Sequence, residues 1–135
     1  MFGIFRKSKA IDEASELLRD HFLSAYSLGK ASYEVGFFER EWVLGYVCGF
    51  SIGMCVNLGI SEQKDMLEVI FDTYKKIYHR EAAKQLLEMS VDHLQREPQT
   101  FMRAMKEASE DLLTWDDSSP SPKNRMSLYV LGRHK

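Results

Sequence analysis

Twenty consecutive residues without a charged side chain, Trp42 to Ser61, constrain the fold more than any other feature of this 135-residue chain. The stretch reads WVLGYVCGFSIGMCVNLGIS, and three of its four glycines follow one another at intervals of four residues. Its length suits three structures: a membrane span, a buried helix at the centre of a bundle, or a seam between two copies of the chain. The flanking residues and the rest of the chain distinguish among them.

A membrane span is the least favoured of the three. Ser51 and Asn57 are polar, the glycines lower the hydropathy, and neither end of the stretch carries a cluster of basic residues. The other helical segments have one apolar and one polar side, which is typical of helices that share a core in water. We therefore expect no membrane span.

The glycines need a physical cause, because each one inside a helix costs about 1 kcal/mol relative to alanine. Residues four apart lie on one side of a helix, where glycines form a smooth strip that lets another helix approach closely. The opposite side carries large apolar residues such as Phe50 and Met54. A helix that is apolar on all sides belongs at the centre of its bundle or between two bundles.

We therefore predict a central helix from about 38 to 58. Its glycine strip packs either on another helix of the same chain or on the same strip of a second copy, in a homodimer. The residues of this predicted helix-packing or dimer seam are Gly45, Gly49, Gly53, Val56, Cys48 and Cys55.

Apolar residues spaced three and four apart predict four further helices, at about 10–26, 62–78, 80–95 and 98–115. A change of phase places a break near His79, because one helix from 62 to 95 would need apolar partners on opposite sides. We expect Gly59 to end the central helix, Ser61 to cap the third helix and Pro98 to lie in the first turn of the fifth.

These helices predict an all-α fold class, a single-domain bundle of about five helices around the central apolar helix. We assign residues 1–115 to this bundle. Residues 116–135 are assigned to a linker broken by Ser and Pro, followed by a basic and apolar C-terminal tail.

The charges are unevenly distributed along the chain. All 20 acidic residues but only 11 of the 18 basic residues fall between Asp12 and Asp117, so this body carries a net charge of −9 and the two ends carry +7. An acidic surface repels phosphate backbones, so we expect no nucleic-acid binding by the body.

The two cysteines, Cys48 and Cys55, are seven residues apart on one predicted helix and thus about 10 Å apart along its axis. That distance is too long for a disulfide between them. Buried free thiols, together with an N-terminus that does not resemble a secretory leader, predict a cytoplasmic protein.

Motifs for catalysis or cofactor binding are absent from the sequence. It has no C-x-x-C, no H-E-x-x-H, no E-x-x-H pair and no glycine-rich phosphate loop. We predict no catalytic residue, no cofactor and no metal. The weak alternative is a metal site in which imidazoles and nearby carboxylates converge, whereas the simpler interpretation has one histidine beside the core and the other two on the surface. These three histidines are His21, His79 and His93.

The last thirteen residues, KNRMSLYVLGRHK, combine basic residues with an apolar centre and contain no acid. We predict that this tail docks on a groove of its own bundle or of a second copy. A solvated tail, or contact with a membrane surface or nucleic acid, are the alternatives. The residues of the predicted docking segment are Leu128, Tyr129, Val130, Leu131, Arg125 and Arg133.

Taken together, these features predict a small soluble helical protein that acts by binding another protein, in the manner of a regulator, an adaptor or an immunity-type protein, either alone or as a homodimer. The sequence does not indicate the partner. The alternative is an enzyme or metal-binding bundle that uses histidine and carboxylate side chains.

Overall fold

A computed structural model describes residues 6–18, 39–78 and 80–113 of the chain. These ranges contain five helices and no strand, so the predicted all-α bundle is confirmed. The helices are α1 at 6–18, α2 at Glu41–Asn57, α3 at Gln63–Ile77, α4 at Arg80–Arg96 and α5 at Gln99–Leu113.

Helix α2 is the central helix, as predicted from its uncharged sequence. It ends in a Schellman motif, in which Gly59 adopts a φ of 77° that side chains disfavour. The Ile60 amide then donates to the Cys55 carbonyl at 2.8 Å and the Gly59 amide to the Val56 carbonyl at 3.1 Å. The buried residues of α2 point in every direction around its axis: Trp42, Val43, Leu44, Gly45, Tyr46, Val47, Cys48, Gly49, Phe50, Ser51, Met54 and Cys55.

Helix α5 makes the most extensive contact with α2 among the helices α2 to α5. The two helices run in the same direction, since Gly45 lies against Phe101 and Gly53 lies against Leu112. Two hydrogen bonds join them at the side of the contact. Trp42 Nε1 donates to Glu107 at 3.1 Å, and the Tyr46 hydroxyl donates to Asp111 at 2.8 Å. The central helix is thus held by a partner more than forty residues away in the sequence.

Helices α3 and α4 are separate, which confirms the break predicted from the change of phase. Tyr78 leaves the helical conformation, with φ −123° and ψ −100°, and α4 begins at Arg80. The predicted positions of Ser61 and Pro98 at the starts of their helices were each wrong by one residue. Glu62, not Ser61, occupies the N-cap of α3, and it makes no side-chain capping bond. Pro98 precedes α5, and its carbonyl accepts the first helical hydrogen bond, from the Met102 amide at 3.0 Å.

Helix α1 already includes residue 6, so the prediction that it starts near residue 10 was wrong. The basic residues before Asp12, namely Arg6, Lys7 and Lys9, belong to this helix, and ion pairs join it to α3. Lys7 lies 2.7 Å from Glu68, and Lys76 pairs with Asp12. The later residue of α1, Asp12, pairs with the later residue of α3, Lys76, so the two helices run in the same direction. The predicted end of α1, near residue 26, lies outside the described residues.

None of the helices in the described ranges has both the length and the apolar character that crossing a membrane requires.

Candidate protein-binding groove between α3 and α4

A groove of about 460 Å³ lies between α3 and α4. Helix α3 contributes Leu67 and Phe71, which are four residues apart and therefore on one side of the helix. Helix α4 contributes Leu87. The charged side chains of the groove are Lys64, Glu68 and Lys84.

The floor of the groove is apolar and only partly covered. Leu67, Phe71 and Leu87 pack against the buried core, yet each remains partly exposed. The ammonium of Lys75 lies 4.8 Å from the centre of the Phe71 ring, within the range of a cation–π interaction. Water therefore reaches a row of apolar side chains that an apolar ligand could cover.

The rim of the groove is positively charged, although the body of the protein is acidic. Lys64 and Lys84 are exposed and form no ion pair among the described residues. Glu68, the remaining charged residue of the groove, forms an ion pair with Lys7, whose Nζ lies 2.7 Å from the Glu68 Oε2. An apolar floor flanked by two unpaired ammonium groups suits a ligand with apolar and acidic groups.

The larger groove, of about 570 Å³ between α1 and α3, has a different electrostatic character. Its three lysines all contact carboxylates: Lys7 that of Glu68, Lys75 that of Asp72 at 2.7 Å, and Lys76 that of Asp12. A ligand there would have to displace existing ion pairs. We interpret the residues of this groove as part of the contact between α1 and α3, which their ion pairs stabilise.

The glycines of the predicted seam face α5 of the same chain. A Cβ on Gly45 would overlap the Phe101 carbonyl oxygen, and a Cβ on Gly49 would lie 2.5 Å from the Met105 carbonyl oxygen. Gly53 has more space, because its nearest neighbour is the Leu112 side chain at 2.9 Å.

Val56 does not belong to this contact, because it is 62% exposed. The described part of α5 ends at Leu113, and its Leu112 side chain lies against Gly53. Val56 therefore does not contribute to the contact of the glycine strip with α5, and its place in a seam between two copies stays a prediction.

The predicted seam cysteines are both buried free thiols, and Cys48 belongs to a hydrogen-bonded chain across three helices. The Ser90 hydroxyl donates to the Leu86 carbonyl at 2.8 Å. Since Ser90 has one hydroxyl proton, the Tyr74 hydroxyl donates to Ser90 at 2.9 Å and accepts from the Cys48 thiol at 3.9 Å. The chain fixes α2, α3 and α4 to one another.

This buried chain is not suited to nucleophilic chemistry. Burial raises the pKa of Cys48 to about 11, and burial also raises the pKa of Tyr74. Burial, with Asp65 as a second cause, raises the pKa of Cys55 to about 11. A thiol that keeps its proton at neutral pH is a poor nucleophile, so we interpret these groups as structural.

The raised pKa of Cys48 predicts that the protein loses stability in alkaline solution. In the unfolded chain this thiol ionises near its ordinary value of 9.0, whereas in the folded protein it keeps its proton up to about 11. The contribution of the protonated Cys48 thiol to the free energy of unfolding is therefore fully present below pH 9. It is lost as the pH rises toward 11, at up to ~1.4 kcal/mol per pH unit. Urea unfolding across this range measures the loss. The Cys48→Ala variant should lose less stability over the same range, and an identical loss in both proteins would contradict the assignment.

Of the three predicted histidines, only His93 lies within the described residues. Its Nδ1 donates to the Met89 carbonyl at 2.7 Å, and its ring lies 5.3 Å from that of Phe101. The side chain is 20% exposed, so our interpretation of His93 as a surface residue was wrong. Glu41 is 3.8 Å from its Nε2. Within 6–18, 39–78 and 80–113, no three His, Cys, Asp or Glu residues are grouped so that they could hold a metal ion.

The predicted tail residues 125–133 lie outside the described residues. Sequence reasoning also missed the groove. The spacing places Lys64, Leu67 and Phe71 on one side of α3, but it does not show that α4 brings Lys84 and Leu87 beside them. No protein-family model, curated protein or solved structure shows significant similarity to this chain.

Proposed function

We propose that this protein acts by binding another protein, and that the groove between α3 and α4 holds an amphipathic helix of that partner. The observation that carries the proposal is a pair of exposed lysines, Lys64 and Lys84, which form no ion pair within residues 6–18, 39–78 and 80–113 and lie beside an apolar floor. The partner helix should bear apolar residues along one side and acidic residues next to them.

The dimensions of the groove support this mode of binding. The lining residues run from Lys64 to Phe71 on α3 and from Lys84 to Leu87 on α4, which at about 1.5 Å per residue gives a groove roughly 10 Å long. A groove of that length accommodates about two turns of a partner helix. A helix bound in a groove presents anchors at spacings of three, four and seven residues, and Leu67, Phe71 and Leu87 form the complementary surface.

A regulator, an adaptor and an immunity-type protein all act through a surface of this kind. The glycine strip is not proposed as a homodimer seam, because α5 would have to move away before a second copy could reach Gly45 or Gly49. A homodimer therefore has to form through another surface. We propose the cytoplasm as the compartment, because Cys48 and Cys55 are free thiols.

Affinity capture with matched variants tests this function. The tagged full chain serves as bait in a lysate of its native cells, as wild type and as the Phe71→Asp variant, which places a charge on the floor of the groove. Met102→Asp is the control, since Met102 is an apolar residue on α5 with 37% of its surface exposed. We expect the wild type and the control to retain the same protein, and Phe71→Asp to lose it.

A second variant keeps the test decisive if Phe71→Asp reduces stability. Lys64→Glu with Lys84→Glu changes only exposed side chains, so the fold should persist. Reversing both charges replaces attraction with repulsion, and we expect about tenfold weaker binding of the captured protein. Equal retention by all four baits would exclude the groove as the binding surface.

A further inference from the structure

The parallel arrangement of α2 and α5 places their C-terminal ends side by side. Between these ends lies a second groove, of about 220 Å³, with Ile52 and Val56 on one wall and Leu112 and Leu113 on the other. Val56 is 62% exposed and Leu113 is 79% exposed, the two highest values among the large apolar residues of the described ranges. Within the described ranges, no residue covers the apolar side chains of this C-terminal groove.

The electrostatics of the C-terminal groove favour a cationic ligand. The C-terminus of a helix carries a partial negative charge of about half an electron, and two parallel helices bring two such charges together. Helices α2 and α5 have no basic residue in their last turns. The last turns of α3 and α4, by contrast, contain Lys75, Lys76, His93 and Arg96. At the end of α2 the guanidinium of Arg6 lies beside Gly59, so among the described residues it is the negative end of α5 that is left without a basic side chain.

We propose that residues 123–135 of this same chain dock in the C-terminal groove. The segment KNRMSLYVLGRHK has four consecutive apolar residues with basic residues on both sides, which matches an apolar groove beside the negative end of α5. The chain leaves α5 at Leu113, in the wall of the groove itself. Nine residues, 114–122, connect the two, and an extended connection of this length spans about 30 Å, more than a return to the groove requires.

Tethering makes such docking effective even when each contact is weak. A segment joined by a short linker has an effective concentration in the millimolar range near its site. Leu128, Tyr129, Val130 and Leu131 would cover the apolar walls, and Arg125 and Arg133 would approach the helix ends.

Trypsin cleavage of the full chain tests the docking, because the enzyme cuts after Lys and Arg only where the backbone is accessible. The rate of cleavage after Arg125, followed by mass spectrometry, is compared with that of a free peptide of residues 114–135. We expect cleavage at least tenfold slower in the protein. Val56→Lys, which adds a positive charge to the groove at an exposed position, should bring the rate within about twofold of the free peptide. Met102→Lys, an equal change on the outer side of α5, should leave the wild-type rate unchanged.

Each other outcome would overturn the proposal. Cleavage of the wild type as fast as the peptide would show that the segment is not docked. Slow cleavage that Val56→Lys does not accelerate would place the segment on another surface. A rate that falls as the protein concentration rises would show that the segment binds a second copy rather than its own bundle.

Discussion

Replacement of Gly49 by alanine is expected to lower the free energy of unfolding by about 1 to 2 kcal/mol. The new Cβ would lie 2.5 Å from the Met105 carbonyl oxygen and 2.6 Å from the Met105 Cα, both of them backbone atoms that cannot rotate away. Helix α5 would have to move, and overpacking of this kind costs ~1–3 kcal/mol or more, against about 1 kcal/mol regained from helix propensity. Urea denaturation measures the change, and Gly49→Leu should lose several kcal/mol.

Gly53→Ala is the matched control on the same side of the same helix. Its Cβ would meet only the end of the Leu112 side chain, at 2.9 Å, and that side chain can change its rotamer. We therefore expect a stability equal to that of the wild type or up to about 1 kcal/mol higher, because alanine favours the helix. If Gly49→Ala were as stable as Gly53→Ala, α5 would not pack closely on α2 and the described arrangement would be incorrect.

Removal of the Ser90 hydroxyl is expected to cost about 1 to 3 kcal/mol. In the Ser90→Ala variant the fully buried Tyr74 hydroxyl loses its only acceptor in the chain that runs from Cys48 to Leu86. A buried donor without an acceptor retains its full desolvation penalty. Tyr74→Phe should cost less, about 1 kcal/mol, because Ser90 keeps its bond to the Leu86 carbonyl.

The double variant Ser90→Ala with Tyr74→Phe distinguishes a hydrogen-bonded chain from simple packing. It removes donor and acceptor together, so its loss should be smaller than the sum of the two single losses by about 1 kcal/mol. Thermal and urea unfolding of the four proteins give this coupling energy. Strictly additive losses would mean that the Tyr74 and Ser90 hydroxyls do not interact.

The central helix could be predicted from sequence because its determinants are local. No charge falls between Trp42 and Ser61, and Gly59 supplies the positive φ that ends the helix. The break after α3 was equally local, since the apolar positions before and after residue 79 lie on opposite sides of a continuous helix. Each of these signals lies within about twenty residues.

The helix that covers the glycine strip could not be chosen from sequence. A strip of glycines indicates only that some helix approaches closely, and α5 and a second copy of α2 satisfy that condition equally. One signal was overlooked: Ala104 and Ala108 are four apart on α5 and both are buried. Small residues at this spacing complement a glycine strip, but pairing two strips more than forty residues apart requires the tertiary structure.

The groove between α3 and α4 depends on long-range packing in the same way. Helix α3 has a wide apolar surface, and its sequence does not indicate which edge its neighbours leave open. Lys64 and Lys84 belong to different helices, so their common position on one rim follows only from the angle at which α3 meets α4. The electrostatic feature that carries the proposed function was therefore invisible to spacing rules.

Amide hydrogen exchange on the complex of this protein with its captured partner tests the proposed binding surface most directly. Binding in the groove should slow exchange in residues 64–71 of α3 and 84–91 of α4. Exchange in α5, and at the exposed end of α2 around Val56, should stay as it is in the free protein. Slower exchange confined to those other regions, with residues 64–71 and 84–91 unchanged, would contradict the assignment of the α3–α4 groove as the binding surface.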